Sequence, residues 1–175
     1  MRFTATEDKV RVTGRTLFVD GVRYLGFSGT SITFTFVGRK AAASIWSNAN
    51  EWGEDNDDLR GRIAVYVNDE EEPRKRICLN REEDVYSLYE SDREEQVTIR
   101  LVKYSEAAFG KCGIRFVEID TDRLMAPPAH AGRRIEIIGD SITCGYGVEA
   151  ENDLQPFRTL TENPTKSYSL LTAKR

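Results

Sequence analysis

Ile32-Thr33-Phe34-Thr35-Phe36 alternates apolar and hydroxyl-bearing side chains residue by residue. That is the period of a strand with one face buried and the other in water. The same period recurs outward along the chain. Ile63, Val65 and Val67 alternate with Ala64 and Tyr66; Val97, Ile99 and Leu101 alternate with Thr98 and Arg100; Ile114 and Phe116 flank Arg115. Shorter runs at residues 10–12, 16–19, 22–25, 42–47, 76–79 and 85–88 bring the expected strand count to about seven to ten. No helical period interrupts residues 10–119, so the expected fold is mainly β. Strand number favours a two-sheet sandwich of jelly-roll type.

Between Val19 and Val22, Asp20-Gly21 has the two-residue form of a type I′ hairpin turn, because both residues tolerate positive φ. Residues 48–60 are polar and predict a long loop at one end of the sandwich. Trp52 lies in that loop among Asn50, Glu51, Glu54 and Asp55. It is the candidate platform for stacking a sugar, although an aromatic in such a loop more often anchors it to the sandwich. Trp46, inside a strand-like run, is expected to pack inward.

After Ile119 the texture changes. Pro127-Pro128 favours an extended connector. Residues 133–138, with Ile135, Ile137 and Ile138, read as a strand buried on both faces of a parallel sheet. Residues 167–174 place Tyr168, Leu170 and Leu171 at helical spacing after the start signal Asn163-Pro164-Thr165. The expected division is a sandwich at 1–124, a linker at 125–132, and the truncated opening strand-turn-helix unit of an α/β domain at 133–175.

Gly139-Asp140-Ser141 falls at the end of that expected strand. Glycine allows a sharp turn and close approach of a substrate, and the Asp140 carboxylate can accept amide hydrogen bonds. Ser141 then opens a helical turn, where free N–H groups favour negative charge. An oxyanion formed during acyl transfer would be stabilised there, each well-placed donor contributing about 3–4 kcal/mol. Thr143 stands where a G-x-S-x-G elbow would have glycine, so this is a different serine motif.

A serine nucleophile needs a base. His130 is the only histidine, and an extended segment would hold it roughly 25–35 Å from Ser141. The expectation is a half-built catalytic site, with His130 a solvated or interdomain residue. Cys144, three residues on, has no visible base either and is read as a packing residue.

The run Ile137-Ile138-Gly139-Asp140-Ser141-Ile142-Thr143-Cys144-Gly145-Tyr146-Gly147, with Phe157, Thr161-Glu162-Asn163 and Ser167-Tyr168, resembles the start of the catalytic domain in the second family of carbohydrate esterases, within the SGNH or GDSL-like superfamily. Upstream, residues 29–36, Val65-Tyr66-Val67-Asn68 and residues 103–110 are similar to that family's amino-terminal jelly roll. The resemblance implies an acetyl esterase acting on acetylated plant polysaccharides without a metal or organic cofactor. It makes Ser141 the nucleophile and its N–H one oxyanion donor, supported by Gly139 and Asp140. It also implies later glycine, asparagine and histidine blocks, none of which lies in these 175 residues. The competing expectations are a non-catalytic β-sandwich binding glycan or protein with a vestigial serine strand, and a module in which Ser141 is only a cap.

Composition narrows the partners. The net charge of −4 comes from interspersed signs, and no basic stripe with aromatics supports nucleic-acid binding. No apolar run reaches the length of a membrane span. The opening residues lack a signal-peptide core, which suggests a cytoplasmic chain, or a secreted one if the true amino terminus lies upstream. Cys78, Cys112 and Cys144 are odd in number and widely spaced, and read as free thiols. No oligomeric state follows.

Overall fold

The computed structural model describes residues 1–52, 56–130 and 132–173. Glu54 and Asp55, named above, and the end of the expected helix at residue 174 lie outside them. The strands are β1 (Arg2–Phe3), β2 (Arg11–Thr13), β3 (Thr16–Val19), β4 (Val22–Leu25), β5 (Ser31–Ser47), β6 (Arg62–Val67), β7 (Lys75–Cys78), β8 (Glu83–Lys103) and β9 (Cys112–Ile119). Two short helices follow, α1 (Ser141–Cys144) and α2 (Tyr168–Ala173), with 3₁₀ turns at Ala49–Trp52, Thr159–Thr161 and Pro164–Lys166. All the pairing is antiparallel, in the order β3-β4-β9-β5-β8-β6-β7, with β1 on β9 and β2 on β5. The β-sandwich expected from the alternation is therefore present.

Its layers share strands. The first half of β5 pairs with the end of β8, and its second half pairs with the start of β8 and with β9. Residues 32–36 and 42–47, which read as separate strands, are thus one strand bent at register shifts between Gly38 and Lys40 and between Ala41 and Ala42. The bend has a specific cause. Asp120 Oδ1 accepts from Arg39 N at 2.9 Å and Lys40 N at 3.1 Å, supplying the acceptor that the irregular ladder does not. A Cβ at position 38 would sit 2.4 Å from that oxygen, so a larger residue there would displace the Asp120 carboxylate from the bend.

Ile32, Phe34, Phe36, Ile63, Val65, Val97, Ile99 and Leu101 face Ala41, Ala43, Ile45, Ile114, Val117 and Ile119 across one core. Phe116 leaves it: a bulge opposite Ser44 and Ile45 shifts the parity of β9, and Phe116 packs outside under Arg2. Trp46 is also a correction. It points away from buried Ile45 and meets the Tyr24 ring edge-on at 5.5 Å on the outer face. Asp20 and Gly21 have φ of 51° and 74°, as the type I′ turn requires.

The outer face of β6 and β8 is not solvated. Ala64, Tyr66, Val102 and Tyr104 form a second buried cluster, covered by residues 159–167. Tyr66 and Tyr104 share a hydroxyl hydrogen bond, and Tyr66 donates to Thr165 Oγ1 at 3.3 Å. Arg76 makes a two-pronged contact with Glu149, which also takes Lys166 Nζ and Asn163 Nδ2, each at 2.9 Å. Thr159 N donates to Asp58 O at 2.7 Å, and Thr159 Oγ1 to Arg60 O at 2.7 Å.

Residues 133–138 form no strand among the described residues, contrary to the expectation. Ile135 and Ile138 are 64% and 83% exposed. Strand conformation is stabilised by a neighbour's ladder and by burial of its faces, and no described strand runs beside this segment. Among the described residues its one charged tie is Glu136 to Arg15.

Burial acts to raise the Glu149 carboxyl, but hydrogen bonds from Arg76, Lys166 and Asn163 outweigh it and hold the group at about 2, below its ordinary 4.5. A depressed carboxyl contributes stability that is present above 4.5 and lost as pH falls toward 2. Glu149→Gln is expected to cost about 1–3 kcal/mol at neutral pH, discounted for the half-exposed Lys166. Urea denaturation should show that deficit shrinking between pH 5 and pH 3.

Candidate functional site

Asp140 caps α1: its backbone is extended and Oδ1 accepts the Ile142 N–H at 3.0 Å. Cys144 N donates to Asp140 O at 3.2 Å, and the turn ends on Gly145 with φ of 78°. Gly139 is required by close approach, since a Cβ there would lie 2.0 Å from Thr143 Oγ1. Gly139, Asp140 and Ser141 thus form a capped turn at the head of α1.

Ser141 is half-buried. Neither its hydroxyl nor its N–H makes a hydrogen bond to any described residue. His130 is exposed and lines a groove with Glu7, Arg11, Pro127 and Pro128 beside β2. The structure gives it no bond to the serine.

The turn is fastened from behind. Asn163 N donates to Gly145 O at 3.1 Å, Glu149 N to Thr161 O at 3.0 Å, and Ser169 Oγ to Thr143 O at 3.3 Å. Thr143 Oγ1 and the Tyr168 hydroxyl are 2.9 Å apart.

Trp52 is tied down: Nε1 donates to Phe109 O at 2.8 Å, and the ring lies 6.2 Å from that of Phe109. From there an aromatic row runs through Phe157, 4.9 Å from Phe109, to Tyr146, stacked on Phe157 at 3.8 Å. The row links the polar loop of the sandwich to the residue five beyond Ser141. Tyr146 and Phe157 were visible in the serine block but carried no local sign of this partnership.

Two buried charged residues also escaped the sequence reading. Lys103 is fully buried, continuing the inward parity of Val97, Ile99 and Leu101, with Nζ donating to Ser105 O at 2.8 Å. Burial pulls its ammonium below the usual lysine value. Glu162, likewise 0% exposed, accepts the Ser28 hydroxyl at 3.1 Å, and burial pushes its carboxyl up to about 7. Burial also raises the Cys144 thiol. The three cysteines are free. No helix of the described residues is long and apolar enough to cross a membrane.

The architecture is a two-layer sandwich with a capped serine turn on its flank, and comparison with known proteins names its family. Residues 12–128 match the family described as carbohydrate esterase 2 N-terminal, and the chain belongs to that family. It is 28% identical over 148 residues to the cellulase/esterase CelE of Acetivibrio thermocellus, covering 85% of this chain and 17% of that protein. It is 24% identical over 172 residues to an acetylxylan esterase / glucomannan deacetylase of Cellvibrio japonicus, covering 97% and 44%. The chain thus spans less than half the length of either curated relative.

Among solved structures, a family two carbohydrate esterase from Cellvibrio japonicus superposes with a TM-score of 0.86 at 22% identity, covering 99% of this chain and 49% of that one. Another from Clostridium thermocellum, in complex with cellohexaose, gives 0.81 at 28% identity, covering 94% and 47%.

A Cβ on Gly145 would lie 2.2 Å from Asn163 O, and its φ is positive. Gly145→Ala is expected to loosen the serine turn from residues 159–167 and destabilise the chain by more than about 1 kcal/mol. Thermal denaturation measures the loss, while Gly132→Ala, with the same positive φ but nothing within 4 Å, separates backbone strain from the clash.

Proposed function

We propose that this chain is the sandwich and nucleophile-bearing part of a serine acetyl esterase that removes O-acetyl groups from plant-polysaccharide sugars. The observation that carries the reading is Ser141 itself: hydroxyl and N–H both uncommitted at the head of a turn capped by Asp140, in a chain of this family. The names of its relatives support the ester and the carbohydrate. The divisions expected from sequence, a sandwich at 1–124, a linker at 125–132 and an opening unit from 133, carry over as part of the proposal.

In this mechanism Ser141 Oγ attacks the acetyl carbonyl carbon while its proton passes to a base. The carbonyl electrons move onto oxygen, and the Ser141 N–H donates to that oxyanion. Collapse expels the sugar hydroxylate, which takes the proton, and water then hydrolyses the acetyl-serine. The rigid fastening of Thr143, Gly145 and Glu149 keeps the hydroxyl in place without reorganisation. His130 is not positioned as the base, which in this reading is supplied by residues outside this chain.

The test is aryl-acetate hydrolysis by the gene product that contains this chain. Ser141→Ala should lower turnover by more than about a thousandfold, and residues 1–175 alone should stay near background. Turnover that survives Ser141→Ala, or full Ser141-dependent activity in residues 1–175, would contradict the assignment.

A further inference from the structure

Where α1 meets the end of the sandwich, Glu106, Cys144 and Glu162 bring two carboxylates and a thiol together, their ligand atoms all within 4.8 Å of one another. Glu162 is fully buried. Its Oε1 holds the Ser28 hydroxyl, but its Oε2 makes no hydrogen bond of normal geometry to a described residue and is sealed from solvent, although the Glu106 backbone N–H is near enough to lower the carboxyl. A buried carboxylate oxygen without a partner is costly, and a bound cation is one way such an atom is satisfied.

The nearest ammonium does not fill that role. Lys103 Nζ spends its hydrogen bonds on Ser105 O and Gly26 O, and it forms no ion pair with a described carboxylate. Cys144 is free of any disulfide.

We propose that Glu106, Cys144 and Glu162 form a binding site for a zinc-like divalent cation that ties the serine turn to the sandwich. One sulfur and two carboxylate oxygens are a donor set for a borderline-soft metal, whereas calcium and magnesium prefer all-oxygen shells. Zinc bonds of about 2.0–2.3 Å place ligands roughly 3.5 Å apart. Closing the cluster to that spacing asks for side-chain shifts of up to about an ångström, and Glu106, on the loop after β8, is only half-buried. Three protein ligands leave a fourth position for water. The site is independent of the esterase reading, since it needs no substrate and its test reads metal retention, not turnover.

The experiment is metal retention by the purified chain after chelator stripping, using Zn²⁺ in equilibrium dialysis and Cd²⁺ as an ultraviolet reporter of thiolate ligation. The expected result is one Zn²⁺ per chain in the presence of excess Mg²⁺ and Ca²⁺, with a Cd²⁺–thiolate absorption band. Glu106→Gln and Cys144→Ser should each weaken binding by more than about tenfold, and Cys78→Ser should leave it unchanged. Glu106→Gln decides the matter alone if Cys144→Ser does not fold, because its side chain is only half-buried. No stoichiometric zinc, no thiolate band, retention unchanged in Glu106→Gln, or loss in Cys78→Ser would each overturn the proposal. A proton or a water would then be what satisfies Glu162.

Discussion

Tyr66 and Tyr104 meet hydroxyl to hydroxyl under Thr165, on a sheet face that would otherwise lie in water. Around that contact a strip of polar residues is sealed: Thr159, Glu162 and Asn163 are 0% exposed and Ser167 is 3% exposed. Buried polar groups must find partners or cost free energy comparable to a lost hydrogen bond. Here the partners come from both sides, Arg60 O and Ser28 from the sandwich, Glu149 and Pro164 O from the strip's own neighbours. Glu162 Oε2 is the strip's one unpartnered oxygen among the described residues, and the bonded groups around it fix register as well as proximity.

From that register the serine turn inherits its position. Asn163 and Thr161, on the sealed strip, hydrogen bond to Gly145 and Glu149, on the loop that leaves α1. Arg76, resting over the Tyr104 ring at 5.1 Å, reaches Glu149 from the sandwich. The nucleophile candidate is therefore held by the jelly roll. Residues 133–138, expected in a parallel sheet, lie exposed among the described residues.

Much of this was legible in the chain. The period of two gave the strands and the inward set, Asp20-Gly21 gave its turn, and Gly139-Asp140-Ser141 gave a capped serine turn, because each is a local pattern with a local cause. What escaped has causes distant in sequence. The bend that joins the two halves of β5 depends on Gly38 meeting Asp120. Ile135, Ile137 and Ile138 satisfy every local rule for a buried strand, yet pairing is a tertiary property. Arg76, Glu149 and Glu162 look like ordinary solvated charges until the strip folds over them. Lys103 alone carried a hint, since it continues the inward parity of β8.

The central claim is that the sandwich, through the sealed strip, holds the serine turn. Amide hydrogen exchange on the intact chain tests it most directly, because protection reports the free energy of local opening. The account predicts protection of the Gly145, Thr159 and Asn163 amides approaching that of the β5 and β8 core, while residues 134–138 exchange freely. Exchange of the Thr159 and Asn163 amides as fast as that of residues 134–138, with the sandwich still protected, would contradict it.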